Sequence, residues 1–131
     1  MGSITCQDWE QVATRFGRFH DAELQGLRLE CGVDSDSYDA VVVLRALDQQ
    51  SNDWILVKLR LLEVTLLRFQ FDPMSDYRFI RFEVNVGWAS DSVILELGDT
   101  CEIKPTISDL LASEKVLVGK ALVVDVHPHR T

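Results

Sequence analysis

The spacing of apolar residues changes once along this chain, and that change constrains the fold more than any other feature. Trp9, Val12, Ala13 and Phe16 recur at i, i+3, i+4 and i+7, which is one stripe of a helix. Beyond residue 22 the period is two: Leu27, Leu29 and Cys31 alternate with Arg28 and Glu30. The pattern predicts a helix over 6–17 followed by a β-rich body over 22–126. Thr5 suits the helix N-cap, Asp8 and Glu10 suit the positive end of its dipole, and Gly17 suits a left-handed stop.

Within the body, 22–32 reads as a half-buried strand and 32–37 (GVDSDS) as a turn. Tyr38 to Leu47 is apolar on both faces, as in a central strand. The polar turn 48–53 (DQQSND) then connects it to a strand over 54–61, which predicts an antiparallel hairpin. Residues 62–71 read either as a strand or as an irregular packed segment, and 72–76 (DPMSD) as a loop. Alternation over 78–86 places Ile80, Phe82, Val84 and Val86 on one face of a further strand. Strands are also expected over 93–97 and 101–104, with a turn at Gly98-Asp99. Residues 107–115 stay open between a helical turn and a loop. The last strand is expected over 116–126, with a bulge or bend at Gly119 and an end at Pro128. The expected architecture is mainly β (α+β): a single domain over 1–131, an antiparallel curved sheet or sandwich of about seven to eight strands, and one N-terminal helix packed on it.

The chain has 131 residues, the size of one domain, and 47% apolar against 26% charged residues suits a packed core rather than a disordered chain. No apolar run approaches the ~20 residues of a membrane helix, and the first residues show no secretory leader pattern. Net charge is -8, concentrated as -4 over 1–36 and -5 over 91–114. Such a surface disfavours phosphate backbones and anionic membranes, so neither a nucleic acid nor a membrane is an expected partner; a basic protein is favoured. The cysteines, Cys6, Cys31 and Cys101, are odd in number and lack C-x-x-C spacing, which fits reduced thiols in a cytoplasm. Cys31, in an alternating stretch, is expected to be a small buried residue.

The most distinctive string is Phe19-His20-Asp21-Ala22-Glu23-Leu24, at the passage from helix to first strand. Extended backbone puts Asp21 and Glu23 on one face, where paired carboxylates can hold a hard cation or act as acid and base. The structural expectation is stronger: Asp21 bonded to backbone amides, His20 packed with its ring nitrogens satisfied, Glu23 in water. His127-Pro128-His129 has zinc-ligand spacing but reads as an exposed chain end. No nucleophile elbow, phosphate loop, dinucleotide fingerprint or zincin string is present. The aromatic–arginine strings at 68–71 and 77–82 read as core aromatics flanked by solvated arginines, and Trp54 and Trp88 as core or rim residues.

Trp9, Val12, Phe16 and Gly17, then Phe19, His20, Asp21, Ala22, Glu23 and Leu24 with alternating Leu27 and Leu29, resemble the small bacterial immunity proteins of polymorphic toxin systems. Similar strings occur in uncharacterised bacterial domains. The resemblance covers residues 9–30. It implies a cytoplasmic protein that neutralises a cognate toxin by binding it, with no catalytic residue.

The expected function is therefore non-catalytic binding, without cofactor, metal ligands or catalytic residues. A carboxylate-rich face would occlude the cleft of a basic toxin domain, with Asp34, Asp36, Asp48 and Asp53 in the turns as contacts. Two alternatives stand beside it: a metal-binding domain or hydrolase using His20, Asp21 and Glu23, and a self-associating β domain that forms a homodimer through a strand edge.

Overall fold

The structure is a computed structural model that describes residues 4–32, 36–70 and 79–127. A capped helix opens it. Thr5 accepts from the Asp8 amide, and the Asp8 carboxylate accepts from the Thr5 amide, so α1 (Cys6–Arg15) starts with two of its orphan donors satisfied. The helix ends two residues earlier than its apolar spacing suggests, with Gly17 left-handed at φ 59° just beyond it.

Among the described residues eight strands follow: β1 (Glu23–Cys31), β2 (Tyr38–Asp48), β3 (Asp53–Leu62), β4 (Leu66–Phe69), β5 (Val84–Trp88), β6 (Val93–Leu97), β7 (Lys115–Gly119) and β8 (Ala121–His127). They form two antiparallel four-stranded sheets, in the orders β1-β2-β3-β8 and β4-β7-β6-β5. The mainly β architecture with one main N-terminal helix is the one its alternation predicts. Ala40, Val42, Leu44 and Ala46 on β2, and Ile55, Val57, Leu59 and Leu61 on β3, are buried on one side of the first sheet. They share a core with Val84, Val93, Leu95, Leu97 and Leu117 of the second sheet and with Trp9, Ala13, Phe16 and Phe19. A short helix, α2 (Ile107–Leu111), covers the other side of the second sheet, where Leu110 packs with Ile94 and Val116. Among the described residues no helix is long and apolar enough to cross a membrane.

The sheets are joined by strands that turn a corner. β3 runs through Glu63 (φ 51°) towards β4, and β7 passes through Gly119 and Lys120 into β8. The Lys120 amide donates to the Leu62 carbonyl (2.8 Å) and the Thr65 amide to the Val118 carbonyl (2.8 Å). A Cβ on Gly119 would sit 2.6 Å from the Leu62 carbonyl oxygen, so only glycine allows the two chains to approach this closely. The expected bend at Gly119 thus divides the final strand into two.

Three expectations are corrected, and the open reading of 107–115 is resolved. The strand over 78–86 begins only at Val84; Phe79 forms an isolated bridge to Glu23, and the Asp21 and Ile80 amides bond across the same junction. Residues 101–104 form no strand: Cys101 and Ile103 are exposed, so nothing buries an alternating face. Residues 107–111 are helical, because Thr106 and Asp109 repeat the capping device of α1. Cys31 is exposed rather than buried, since β1 is an edge strand whose last residues overhang the core. The expected turn at 33–35, the loop at 72–76, Arg78 and the Pro128-His129 end lie outside the described residues.

The side of the first sheet away from the core is closed by its own charged side chains. Val41 on that face is only 1% exposed. In register it lies between Arg28 and Arg60. Glu30 accepts from both Arg28 Nε (2.6 Å) and Arg60 Nη1 (3.0 Å), which holds their aliphatic stems over the strand. These guanidinium groups, Arg28 first, hold the Glu30 carboxyl below its ordinary range. Trp54, 39% exposed, carries the Arg45 guanidinium 5.0 Å above its ring.

Candidate functional site

Phe19-His20-Asp21 occupies a tight reversal in which Gly17, Arg18, Phe19 and Asp21 all have positive φ, between 56° and 65°. For non-glycine residues this conformation costs roughly 1 kcal/mol or more each. The Phe19 amide bonds to the Phe16 carbonyl (3.0 Å), the Ala22 amide to the Phe19 carbonyl (3.1 Å), and the Ile80 amide to the Ala22 carbonyl (2.8 Å). The reversal drives the fully buried Phe19 ring between Trp9 and Phe16, at centroid distances of 5.8 and 5.4 Å. Burial of that ring is what offsets the strain.

The same reversal turns Arg18, His20 and Asp21 outwards. His20 and Asp21 side chains are 58% and 75% exposed and meet each other, Nδ1 to Oδ2 at 3.2 Å. Asp21 therefore does not cap backbone amides, and His20 does not pack inside, contrary to the sequence expectation; left-handed backbone at Asp21 also breaks the extended geometry that would set Asp21 and Glu23 on one face. Glu23 lies on β1 and accepts from the Gln25 amide group. His20, Asp21 and Glu23 do not come together as a ligand set, and among the described residues no three His, Cys, Asp or Glu side chains do.

The outward groups border a groove. A recess of about 220 Å³ is lined by His20, Phe82, Glu83, Asn85, Cys101 and Ile103. A second, of about 630 Å³, shares Glu83, Asn85 and Ile103 and extends past Arg18, Lys104 and Ile107. The groove thus runs between the reversal, the edge strand β5 and the segment that links β6 to α2. Its rim carries Glu83 and Glu102 together with Arg18 and Lys104. Glu83 accepts from Arg18 Nε (3.1 Å), and Arg18 Nη1 also donates to Glu10 (2.9 Å). Glu10 first, then Glu83, raise the Arg18 pKa. Glu102 is exposed on the opposite side. Ile103, between Glu102 and Lys104, is 93% exposed. His20 and Cys101 share the smaller recess, but a thiol nucleophile needs electropositive surroundings, and this recess presents Glu83 and Glu102.

The linking segment is held by a buried carboxylate. Glu96, fully buried, accepts from the amides of Gly98 (3.1 Å), Asp99 (2.6 Å) and Thr100 (3.1 Å), from Ser113 Oγ (2.8 Å) and from Asn85 Nδ2 (3.0 Å). It ties β5, β6 and the end of α2 together under the groove. Sequence reading missed Glu96, Glu83, Arg18 and Ile103. Only Ile103 carried a local signal, as a single apolar residue between two charges beside Pro105.

The turn carboxylates are placed differently from the expectation. Asp48 is 2% exposed and accepts from Arg15 Nη2 (2.8 Å) and Nε (3.1 Å), the Gln50 amide (2.9 Å) and Ser51 Oγ (3.0 Å). The Arg15 hydrogen bonds first, then those from Gln50 and Ser51, hold its carboxyl far below the usual range against the opposing effect of burial. It is an internal tie, not a surface contact. Asp36 and Asp53 stand beyond opposite ends of β2, whose 11 residues span roughly 35 Å, so they do not share one patch. Asp34 lies outside the described residues. His127 Nε2 meets Asp125 at 3.0 Å.

No protein-family model matches this chain, and no curated protein or solved structure matches it.

Proposed function

We propose that this chain is a non-catalytic binding protein that neutralises a basic partner by covering its working surface, as the bacterial toxin immunity proteins it resembles do. The observation that carries this reading is the groove beside β5: Ile103, 93% exposed, at its lip, with the carboxylates Glu83 and Glu102 on a rim shared with Arg18 and Lys104. An exposed isoleucine ringed by charge supplies an apolar anchor, and the carboxylates supply steering towards a cationic surface. The charged groups near the groove already have partners (His20 with Asp21, Arg18 with Glu10 and Glu83), which suits holding a surface in shape rather than moving protons. On this reading the chain works in a bacterial cytoplasm, where exposed Cys6, Cys31 and Cys101 stay reduced.

The test is isothermal titration of the chain against the purified product of the gene beside its own. Binding is expected, with affinity reduced tenfold or more by Ile103→Asp and by Glu83→Lys with Glu102→Lys. An absence of binding, or wild-type affinity in both variants, would overturn the reading.

A further inference from the structure

Strand β1 is the longest edge strand of either sheet, at nine residues against seven, five and four for β8, β5 and β4. It holds no proline or lysine, and its one irregularity, between Leu24 and Gly26, lies before its far half. β8 has its outer edge engaged at Leu122, whose carbonyl accepts from the Ile4 amide (2.9 Å). On β1 the described contacts of the outer edge stop at its first residue, where Glu23 bridges to Phe79. Its far half carries exposed apolar side chains: Leu29 is 48% exposed, Cys31 is exposed, and Tyr38, opposite Cys31 on β2, is 56% exposed.

The direction of the backbone groups follows from one hydrogen bond. The Gly32 amide donates to the Ser37 carbonyl (2.9 Å), so Gly32 faces β2. Alternation then turns the backbone groups of Arg28 and Glu30 towards β2, and those of Leu27, Leu29 and Cys31 towards the outer edge.

We infer that two copies of this chain pair antiparallel through β1, about a two-fold axis at Leu29. In this register Leu29 opposes the same residue of the second copy, Leu27 opposes Cys31, and each of these pairs exchanges both backbone hydrogen bonds. Arg28 of one copy then opposes Glu30 of the other, twice over, on the face away from the core. Neighbouring registers are worse. An axis at Arg28 opposes two arginines, an axis at Glu30 opposes two glutamates, and an axis at Leu27 sets Arg28 against Gly26 and Glu30 against Leu24. The alternation that leaves Leu29 half exposed in one copy thus becomes self-complementary in two, and the result is a continuous eight-stranded sheet. This surface lies at the far half of β1 from His20 and is independent of the proposed groove.

Sedimentation velocity over a concentration series tests it, with a thermal melt by circular dichroism to confirm that each variant is folded. The wild-type chain is expected to shift from 14.9 kDa to twice that mass as concentration rises into the millimolar range. Arg28→Glu alone and Glu30→Arg alone each oppose like charges across the axis and are expected to stay monomeric. An equimolar mixture of the two restores opposite charges and is expected to dimerise. Leu29→Lys, at a half-exposed position, is expected to abolish the dimer. A wild-type chain that remains monomeric throughout, a Leu29→Lys variant that still dimerises, or a mixture that behaves like its components would each overturn the inference.

Discussion

At the scale of single residues, the Phe-His-Asp segment divides into an inside and an outside. Phe19 is fully buried among aromatic rings, while His20 and Asp21 face water and each other. Phe19→Ala should therefore cost about 3–5 kcal/mol in urea denaturation, from lost burial and the cavity left behind. His20→Ala should stay within about 0.5 kcal/mol of wild type, as exposed substitutions do. Equal costs would contradict this division. Glu96 makes a sharper case. Its two oxygens face five donors, so Glu96→Gln turns an amide NH₂ onto N–H or O–H groups that have no acceptor left. The expected loss is about 2–4 kcal/mol by the same measurement, and a neutral result would contradict the network. Of these residues Phe19 was marked in the sequence only as part of the string after the helix, since it lies beyond the apolar stripe that ends at Phe16. Glu96 was not: in the alternating string VILEL it falls on a polar-looking position, and only the cover from α2 makes that position interior.

At the scale of elements, the ends of helices and strands are tied by ion pairs rather than left to fray. Asp48, the last residue of β2, fastens the turn before β3 to the end of α1 through Arg15, and the Gln49 amide adds a bond to the Arg15 carbonyl (2.8 Å). The folded Asp48 carboxyl titrates below its unfolded range, so the folded chain binds fewer protons there. The stability this contributes is complete above the ordinary aspartate pKa of about 3.9 and is lost as pH falls below it. Stability measured by urea midpoints between roughly pH 5 and pH 2 should fall less steeply in Asp48→Asn than in wild type, and an unchanged slope would contradict the assignment. Elements with strong local chemistry were readable in advance: α1 by its cap and stripe, the β2–β3 hairpin by two apolar runs around a polar turn. The elements misread were those whose boundaries depend on distant partners. Residues 79–83 alternate like a strand but make only the isolated bridge to Glu23, with its bonds at Asp21 and Ala22, and one backbone bond from Phe82 to Gly98, and 101–104 alternate with no sheet to receive them.

At the scale of the whole molecule, two sheets share one core through strands that turn a corner at Glu63 and Gly119. This leaves α2 over one outer face, a lattice of arginines and Glu30 over the other, and a groove along β5 rimmed by Glu83, Glu102, Arg18 and Lys104. The sequence made the sign of the surface plain, since the net charge is -8, but not its placement. Turn aspartates looked like contacts because turns are usually exposed; Asp48 is buried by its bond to a helix 33 residues earlier. The groove forms only where three separate segments meet, so no local pattern could announce it. The central claim is that this groove captures a basic partner by charge and one apolar anchor. Its most direct test is the association rate with the neighbouring gene product, followed by stopped-flow fluorescence over a salt series. The rate should fall steeply with ionic strength for the wild-type chain, and the double variant Glu83→Lys, Glu102→Lys should associate more slowly with that salt dependence flattened or reversed. Identical rates and identical salt slopes for the two proteins would contradict the claim.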